Sequence, residues 1–364
     1  MPHKLGNGFQ PFIENFKART ELDLLLGTYG FKTSGEDLAE LQLEMTRVNL
    51  LSKNAVKLFG DLTEYAKKFA KVSWYSENRE TVTMLLSYCN KRAIGRELTV
   101  EIDIIGETPV ELMTNLQKAL NEVGENTVIN LSPGVYSFGS GKKNNKGKTI
   151  ANELVVRTKN LTIKAAGDVT IDESLMISAS NISLSGITFS EVIVERGGDK
   201  IMLSGTNIDK LSMTAVSDVK VENSLIMRTT LNQCDEVSFD HCTLVSNGVA
   251  PALSLPQSKV ELSNSIIYSR GTALALTKLG TERIIKAKLK NSLIFGEMGF
   301  LTVISAGQNK QITRKVDTRQ FLSTISVHYE LPDFTDPEND DYTLKPTSPG
   351  AGKAADCKDL GIIR

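Results

Sequence analysis

Six stretches of the chain repeat one short pattern: alternating apolar positions, a Gly, Asn or His with a small polar residue, then apolar positions again. They read SLSGITF at 183–189, MLSGTNI at 202–208, KVENSLI at 220–226, SFDHCTL at 238–244, ELSNSII at 261–267 and KLKNSLI at 288–294. Successive copies begin 19, 18, 18, 23 and 27 residues apart. A self-similar unit of about 20 residues with period-two alternation predicts a solenoid, because a single coil cannot cover its own apolar edge and a stacked neighbour can. Each copy predicts two strands flanking a tight corner at Gly186, Gly205, Asn223, His241, Asn264 or Asn291. These residue types tolerate left-handed backbone, and stacked Asn side chains are expected to hydrogen-bond along the ladder. His241 occupies an Asn rung with Asp240 as its one neighbouring carboxylate, so it reads as a structural histidine rather than an acid or base.

The first 96 residues carry a different period. Phe9 to Leu26 is helical in pattern, with Gly27 and Gly30 marking a turn, and Thr33, Ser34, Glu36 and Asp37 supply capping chemistry for a second helix. Leu38, Leu41, Met45, Val48, Ser52, Ala55, Phe59, Leu62, Ala66 and Phe69 then follow steps of three and four, a heptad register over about 35 residues. Leu51, Val56, Leu58 and Tyr65 widen that stripe beyond a two-stranded seam, which predicts a bundle helix packed within the chain or between subunits. Asn78 to Ala93 supplies another helix. This segment is expected to be a helical attachment or assembly domain, making a protein partner or self-association through its helices the expected interaction.

From residue 97 to 364 the pattern is that of strands. LTVEIDI at 98–104 alternates as a half-buried strand. Thr108, Pro109 and Glu111 then open a short amphipathic helix, about 109–123, that Gly124 ends. TVINLSPGVYSF at 127–138 reads as strand, Pro-Gly turn and strand.

Composition narrows the function classes. Lys plus Arg number 42 against 43 Asp plus Glu, so no net basic field gathers nucleic acid. No run of 18 apolar residues spans a bilayer, and MPHKLGNGFQ lacks the apolar core of a secretory signal; cytoplasmic synthesis without membrane insertion is expected, with a virion among the destinations. Cys89, Cys234, Cys242 and Cys357 fit no metal spacing and read as reduced thiols. The sole Trp, Trp74, lies in the helical segment, leaving no evident sugar-stacking platform. The loop GSGKKNNKGK at 139–148 reads as solvated.

Pro133, Gly134 and Tyr136, following the amphipathic helix, and the closing DYTLKPTSPGAGKAAD at 341–356 resemble the pectate-lyase-like right-handed parallel β-helix superfamily over about 98–364. The resemblance implies a mainly β fold, a right-handed parallel β-helix with a capping helix, preceded by the α-helical domain. It also implies a polysaccharide lyase or hydrolase site on the outer face of the first sheet, with calcium as cofactor only for a lyase.

The first-sheet strands are EVIVE (191–195), KLSMT (210–214), TTLNQ (229–233), ALSL (252–255), ALALT (273–277) and FLTVI (300–304). Alternation sends Val192, Val194, Leu211, Met213, Leu231, Leu253, Leu255, Leu274 and Leu276 inward, and places Glu191, Glu195, Lys210, Ser212, Thr214, Thr230, Asn232, Ser254, Ala273, Ala275 and Thr277 among the outward positions. Lyase chemistry needs a carboxylate cluster with a basic proton acceptor, and glycosidases need two opposed carboxyls. The outward carboxylates, Glu191 and Glu195, sit at one end. No residue is therefore assigned a catalytic or metal-binding role. The candidate binding residues are Glu191, Glu195, Lys210, Asn232, Arg228 and Arg270, the two arginines being expected about 10 Å apart on coils separated by one other. A non-catalytic structural or recognition protein, spike-like or surface-assembled, is the leading expectation. A polysaccharide lyase or hydrolase and a simple glycan-binding protein are the alternatives.

Overall fold

The structure, a computed structural model, describes residues 10–32, 38–48, 50–93, 99–139, 153–278, 287–305 and 308–363. The capping residues at 33–37 and the lysines of the 140–148 loop lie outside them. The chain divides into two compact units, one comprising Met1–Ile102 with Glu122–Val128 and the other Asp103–Asn121 with Ile129–Arg364. No helix among the described residues is long and apolar enough to cross a membrane.

In the first unit, helices α1 (Gln10–Thr28), α2 (Leu38–Arg47), α3 (Ser52–Phe69), α4 (Ser73–Glu77) and α5 (Arg79–Arg92) enclose one core. The heptad stripe does not form one continuous helix. Helix α2 ends at Arg47 and α3 begins at Ser52, Leu51 is extended, and the Leu50 amide bonds to the Val48 carbonyl. A straight helix of about 32 residues runs ~48 Å, longer than a small core, whereas a break lets both halves cover the same interior. The Tyr88 hydroxyl of α5 donates to the Val48 carbonyl at 3.1 Å, supplying a partner at the break. The stripe residues Leu41, Ala55, Phe59, Leu62 and Phe69 are buried with Leu22 and Leu26 of α1 and Val82, Leu85 and Cys89 of α5. These heptad positions are thus spent inside the unit, while Leu51, expected to widen the stripe, is exposed. On α1, by contrast, Phe12, Phe16 and Leu24 are 71%, 62% and 68% exposed, opposite the buried Ala18, Leu22 and Leu26.

The second unit is a right-handed parallel β-helix. Helix α6 (Pro109–Glu122) opens with the Thr108 hydroxyl accepting from the Glu111 amide, while the Glu111 carboxylate accepts from the Glu107 amide, so orphan donors at the helix start are satisfied. Three parallel sheets follow, each stacking like on like. In the second sheet the rungs run Leu161, Ile182, Ile201, Val219, Val237, Val260, Ala287 and Leu322. In the third they run Tyr136, Ile171, Phe189, Ile208, Ile226, Leu244, Ile267 and Ile294. In the first they run Leu154, Leu175, Val192, Leu211, Thr229, Leu253, Leu274 and Leu301. All of these side chains are buried, and they fill the lumen of the coil.

The corner between the second and third sheets is left-handed at every repeat, with φ of 70° and 59° at Gly186 and Gly205 and 44°, 49°, 50° and 45° at Asn223, His241, Asn264 and Asn291. The hydrogen-bond ladder, however, is carried by the next residue. The Ser224 hydroxyl accepts from the Thr206 amide, Ser265 from Cys242 and Ser292 from Ser265, and each serine donates to the carbonyl two residues back. Mutual Asn bonds along the corner are not what Asn223 and Asn264 make. Asn223 Oδ1 accepts from the Ile363 amide and Asn264 Oδ1 from the Ala355 amide, so both face the C-terminal segment. That segment also covers the outer face of the third sheet, where Leu225, Val245, Ile266 and Leu293 are buried against Phe334, Tyr342, Leu344, Leu360 and Ile362.

Thr229 is the one polar member of its Leu-rich column, 1% exposed, and its hydroxyl has no hydrogen-bond partner. Thr229→Val keeps the shape and removes an unsatisfied buried group, so it is expected to raise stability by about 1 kcal/mol. Urea unfolding checks this; a lowered midpoint would mean that the hydroxyl is bonded after all.

Candidate functional site

Side chains leaving the first sheet outward form a column in register. Ser174, Glu191 and Lys210 lie on successive rungs, and Arg228 follows one residue before Thr229, the rung partner of Leu211. The Lys210 ammonium donates to Glu191 Oε1 at 2.5 Å and the Ser174 hydroxyl to Oε2 at 2.6 Å. The Lys210 and Ser174 hydrogen bonds, helped by the charges of Lys210 and Arg228, hold the Glu191 carboxyl below its ordinary value against the opposing effect of burial. Arg228 is exposed and also faces Asp209. Burial, with the charge of Asp340, pushes the Asp209 carboxyl up while Arg228 opposes them. Beside this charged column runs a second of Ile193, Ser212, Thr230, Ser254, Ala275 and Thr302, a floor mainly of hydroxyls and small groups.

Beyond Arg228 the charged column closes. Its next rungs, Ala252 and Ala273, are fully buried although they point outward. The backbone crosses close by: a Cβ at Gly271 would meet the Val249 carbonyl oxygen at 2.1 Å, and one at Gly296 would meet the Ala273 amide at 2.5 Å. Among the described residues the earlier rungs present charge to solvent on this face, from Glu191 to Arg228, together with Glu153, the exposed rung partner of Ser174, an outward carboxylate that the sequence expectation of Glu191 and Glu195 left out.

The candidate residues therefore separate. Glu191, Lys210 and Arg228 come together. Glu195 stands four residues along the strand from Glu191, about 13 Å at ~3.3 Å per residue, and is exposed with its carbonyl accepting from the Gly198 amide. Asn232 is half-buried at the far end of its strand beside Thr214. Arg270 does not bracket a ligand with Arg228. The rung partner of Arg228 two coils on is Ala273, so Arg270 is three residues out of step and the pair stand about 14 Å apart by strand geometry. Arg270 instead faces the Tyr268 and Tyr342 hydroxyls.

The ladder histidine is 14% exposed, with Nδ1 3.1 Å from Asp240 Oδ2 and Nε2 3.3 Å from Asp356 Oδ1, a second carboxylate brought from 115 residues away. Burial pushes the Asp240 carboxyl up, but hydrogen bonds from Ser263, Asn264 and His241 outweigh it and hold it below its ordinary value. Asn291 keeps the corner position, with φ of 45°. Burial pushes the Cys89 and Cys242 thiols up to about 12, which keeps them protonated and unreactive.

Ser174 was not among the sequence-derived candidates because its coil lacks the repeat: the strand pairing shifts between Lys164 and Val169, and the inserted residues hide the motif. Among the described residues no group of three His, Cys, Asp or Glu side chains gathers to hold a metal. A calcium site does not fit this face, where Glu191 already has both oxygens engaged by Lys210 and Ser174.

No family model and no curated protein matches the sequence. Among solved structures the chain is similar to a crystal structure of pectate lyase Pel9A, at 14% sequence identity and a TM-score of 0.29, covering 73% of this chain and 97% of that one. A likeness of that degree carries no argument here. The parallel β-helix is established by the rung-by-rung pairing above.

The Glu191 ion pair has a pH signature. Its carboxyl is lowered, so the stabilisation is present above the ordinary value of 4.5 and is lost as pH falls through the lowered one. Lys210→Met is expected to shift the Glu191 midpoint upward and to flatten the stability slope below pH 4.5. Carboxyl carbon shifts followed by NMR check this, and an unmoved midpoint would contradict the pairing.

Proposed function

We propose that this chain is a non-catalytic recognition protein, in which a rigid β-helix offers the open rungs of its first sheet to an anionic polysaccharide and the helical unit serves attachment. The observation that carries the reading is the Lys210–Glu191 ion pair at 2.5 Å. A base that removes a proton from a sugar acid must be unprotonated and reachable. Lys210 is instead engaged by the Glu191 carboxylate, so its nitrogen is not free to meet a sugar proton, which favours binding over proton transfer. Arg228 on the next rung is a permanent cation with a planar set of donors suited to a carboxylate. The neighbouring hydroxyls of Ser212, Thr230 and Ser254 complement the hydroxyls of a sugar.

Attachment rests on α1, because the heptad stripe is already covered within its own unit. The exposed Phe12, Phe16 and Leu24 give that helix a second apolar face, which supports a protein partner or self-association in a spike-like or surface assembly.

Binding of polygalacturonate, read by calorimetry with product assays on the same mixtures, tests the proposal. Arg228→Ala is expected to weaken binding about tenfold, with no unsaturated product and no new reducing ends. Unchanged affinity, or product formation that Lys210→Met abolishes, would overturn it. Sedimentation of the same protein reads the attachment claim: concentration-dependent association supports it, and a strict monomer with no capturing partner contradicts it.

A further inference from the structure

The C-terminal segment is a strap laid over the corner ladder and the third sheet. Four backbone amides fasten it: Ala355 to Asn264 Oδ1 at 2.8 Å, Gly361 to the Asn264 carbonyl at 2.8 Å, Ile362 to the Thr243 hydroxyl at 3.1 Å and Ile363 to Asn223 Oδ1 at 2.7 Å. Packing is close enough that a Cβ at Gly361 would lie 2.3 Å from the Thr243 hydroxyl oxygen. His241 is the titratable side chain of the solenoid that reaches across to this strap, through Asp356.

The chemistry of that contact is one-sided. Both ring nitrogens of His241 face carboxylate oxygens, Nδ1 that of Asp240 on the solenoid and Nε2 that of Asp356 on the strap. A neutral imidazole has one N–H and one lone pair, so whichever tautomer forms, one nitrogen presents a lone pair to a carboxylate. The imidazolium alone donates to both. The other charged and titratable groups around it are Lys358, whose ammonium is 3.1 Å from Asp356 Oδ2, Glu222 on the rung beside Asp240, and the buried Cys242 thiol. Ser263 and Asn264 donate to Asp240 Oδ1, leaving Oδ2 for the histidine.

We propose that His241 is a protonation-dependent latch, in which the imidazolium bridges Asp240 to Asp356 and fastens the C-terminal strap, and loss of the proton loosens it. Only the docked strap brings a second carboxylate to Nε2, so the imidazolium has an acceptor for each N–H in the docked state alone. The fastening is therefore present above the lowered titrations of Asp240 and Asp356 and weakens as pH rises through the histidine's titration. Loosening uncovers Leu225, Ile266 and Leu293 on the outer face of the third sheet. This holds whether or not the first-sheet rungs bind a polysaccharide.

Hydrogen exchange of the Ala355, Gly361, Ile362 and Ile363 amides on the full chain, each rate divided by its unstructured rate at that pH, tests the latch alongside the His241 ring proton shift. Protection is expected to fall several-fold over the same interval in which the ring titrates, while amides of the third-sheet core keep theirs. His241→Asn places at this corner the residue that rungs 223, 264 and 291 use, and so preserves the left-handed backbone. It is expected to abolish the pH dependence. Asp356→Asn, which leaves the solenoid's residues intact, is expected to do the same. Strap protection that is flat across the histidine's titration, or an unchanged slope in Asp356→Asn, would overturn the latch.

Discussion

Everything in the larger unit depends on the vertical register of the coils. A parallel sheet joins each coil to the next through evenly spaced backbone bonds, and a slip of one residue would turn every inward side chain outward. The columns of Leu, Ile and Val in the lumen penalise any such slip on three sheets at once. The corners hold the same register by a second means. A left-handed residue at each repeat sets the bend, and the hydroxyl that follows links coil to coil through Thr206–Ser224, Cys242–Ser265 and Ser265–Ser292.

Register is also what makes a surface out of scattered residues. Glu191, Lys210 and Arg228 are separated by 19 and 18 residues in the chain, yet stacking brings them to neighbouring rungs about 5 Å apart. Exposure then depends on the loops between sheets. Where the loop carrying Val249 crosses Gly271, the outward positions Ala252 and Ala273 are sealed, and the charged face ends at Arg228. A short, rigid, mixed-charge strip beside a row of hydroxyls remains, and it is the surface to which the proposed binding of acidic sugars is assigned.

Much of this was legible in the order of residues. The repeat located the corners, and alternation identified the inward set Val192, Leu211, Leu253 and Leu274, all of them buried. The outer cover of the third sheet leaves its own mark in the sequence. IIY at 266–268 and LIF at 293–295 do not alternate, which is the mark of a strand buried on both faces. The break in the heptad helix was not legible, because nothing in Val48 to Leu51 forbids a helix and the reason lies in what the two halves cover. Asp356 beside His241 and the offset of Arg270 were beyond reach as well. Both depend on where a distant segment or a loop of particular length returns, and periodicity carries no information about either.

The central claim is that the open rungs from Glu191 to Arg228 are a binding surface. Backbone amide shift mapping on the labelled chain, titrated with a short oligogalacturonide, tests it most directly. The account predicts saturable shifts confined to Lys210, Ser212, Arg228 and Thr230 with their strand neighbours, and an oligosaccharide that remains intact throughout. Shifts centred on Arg270, Tyr268 and Tyr342, or an oligosaccharide shortened during the titration, would contradict it.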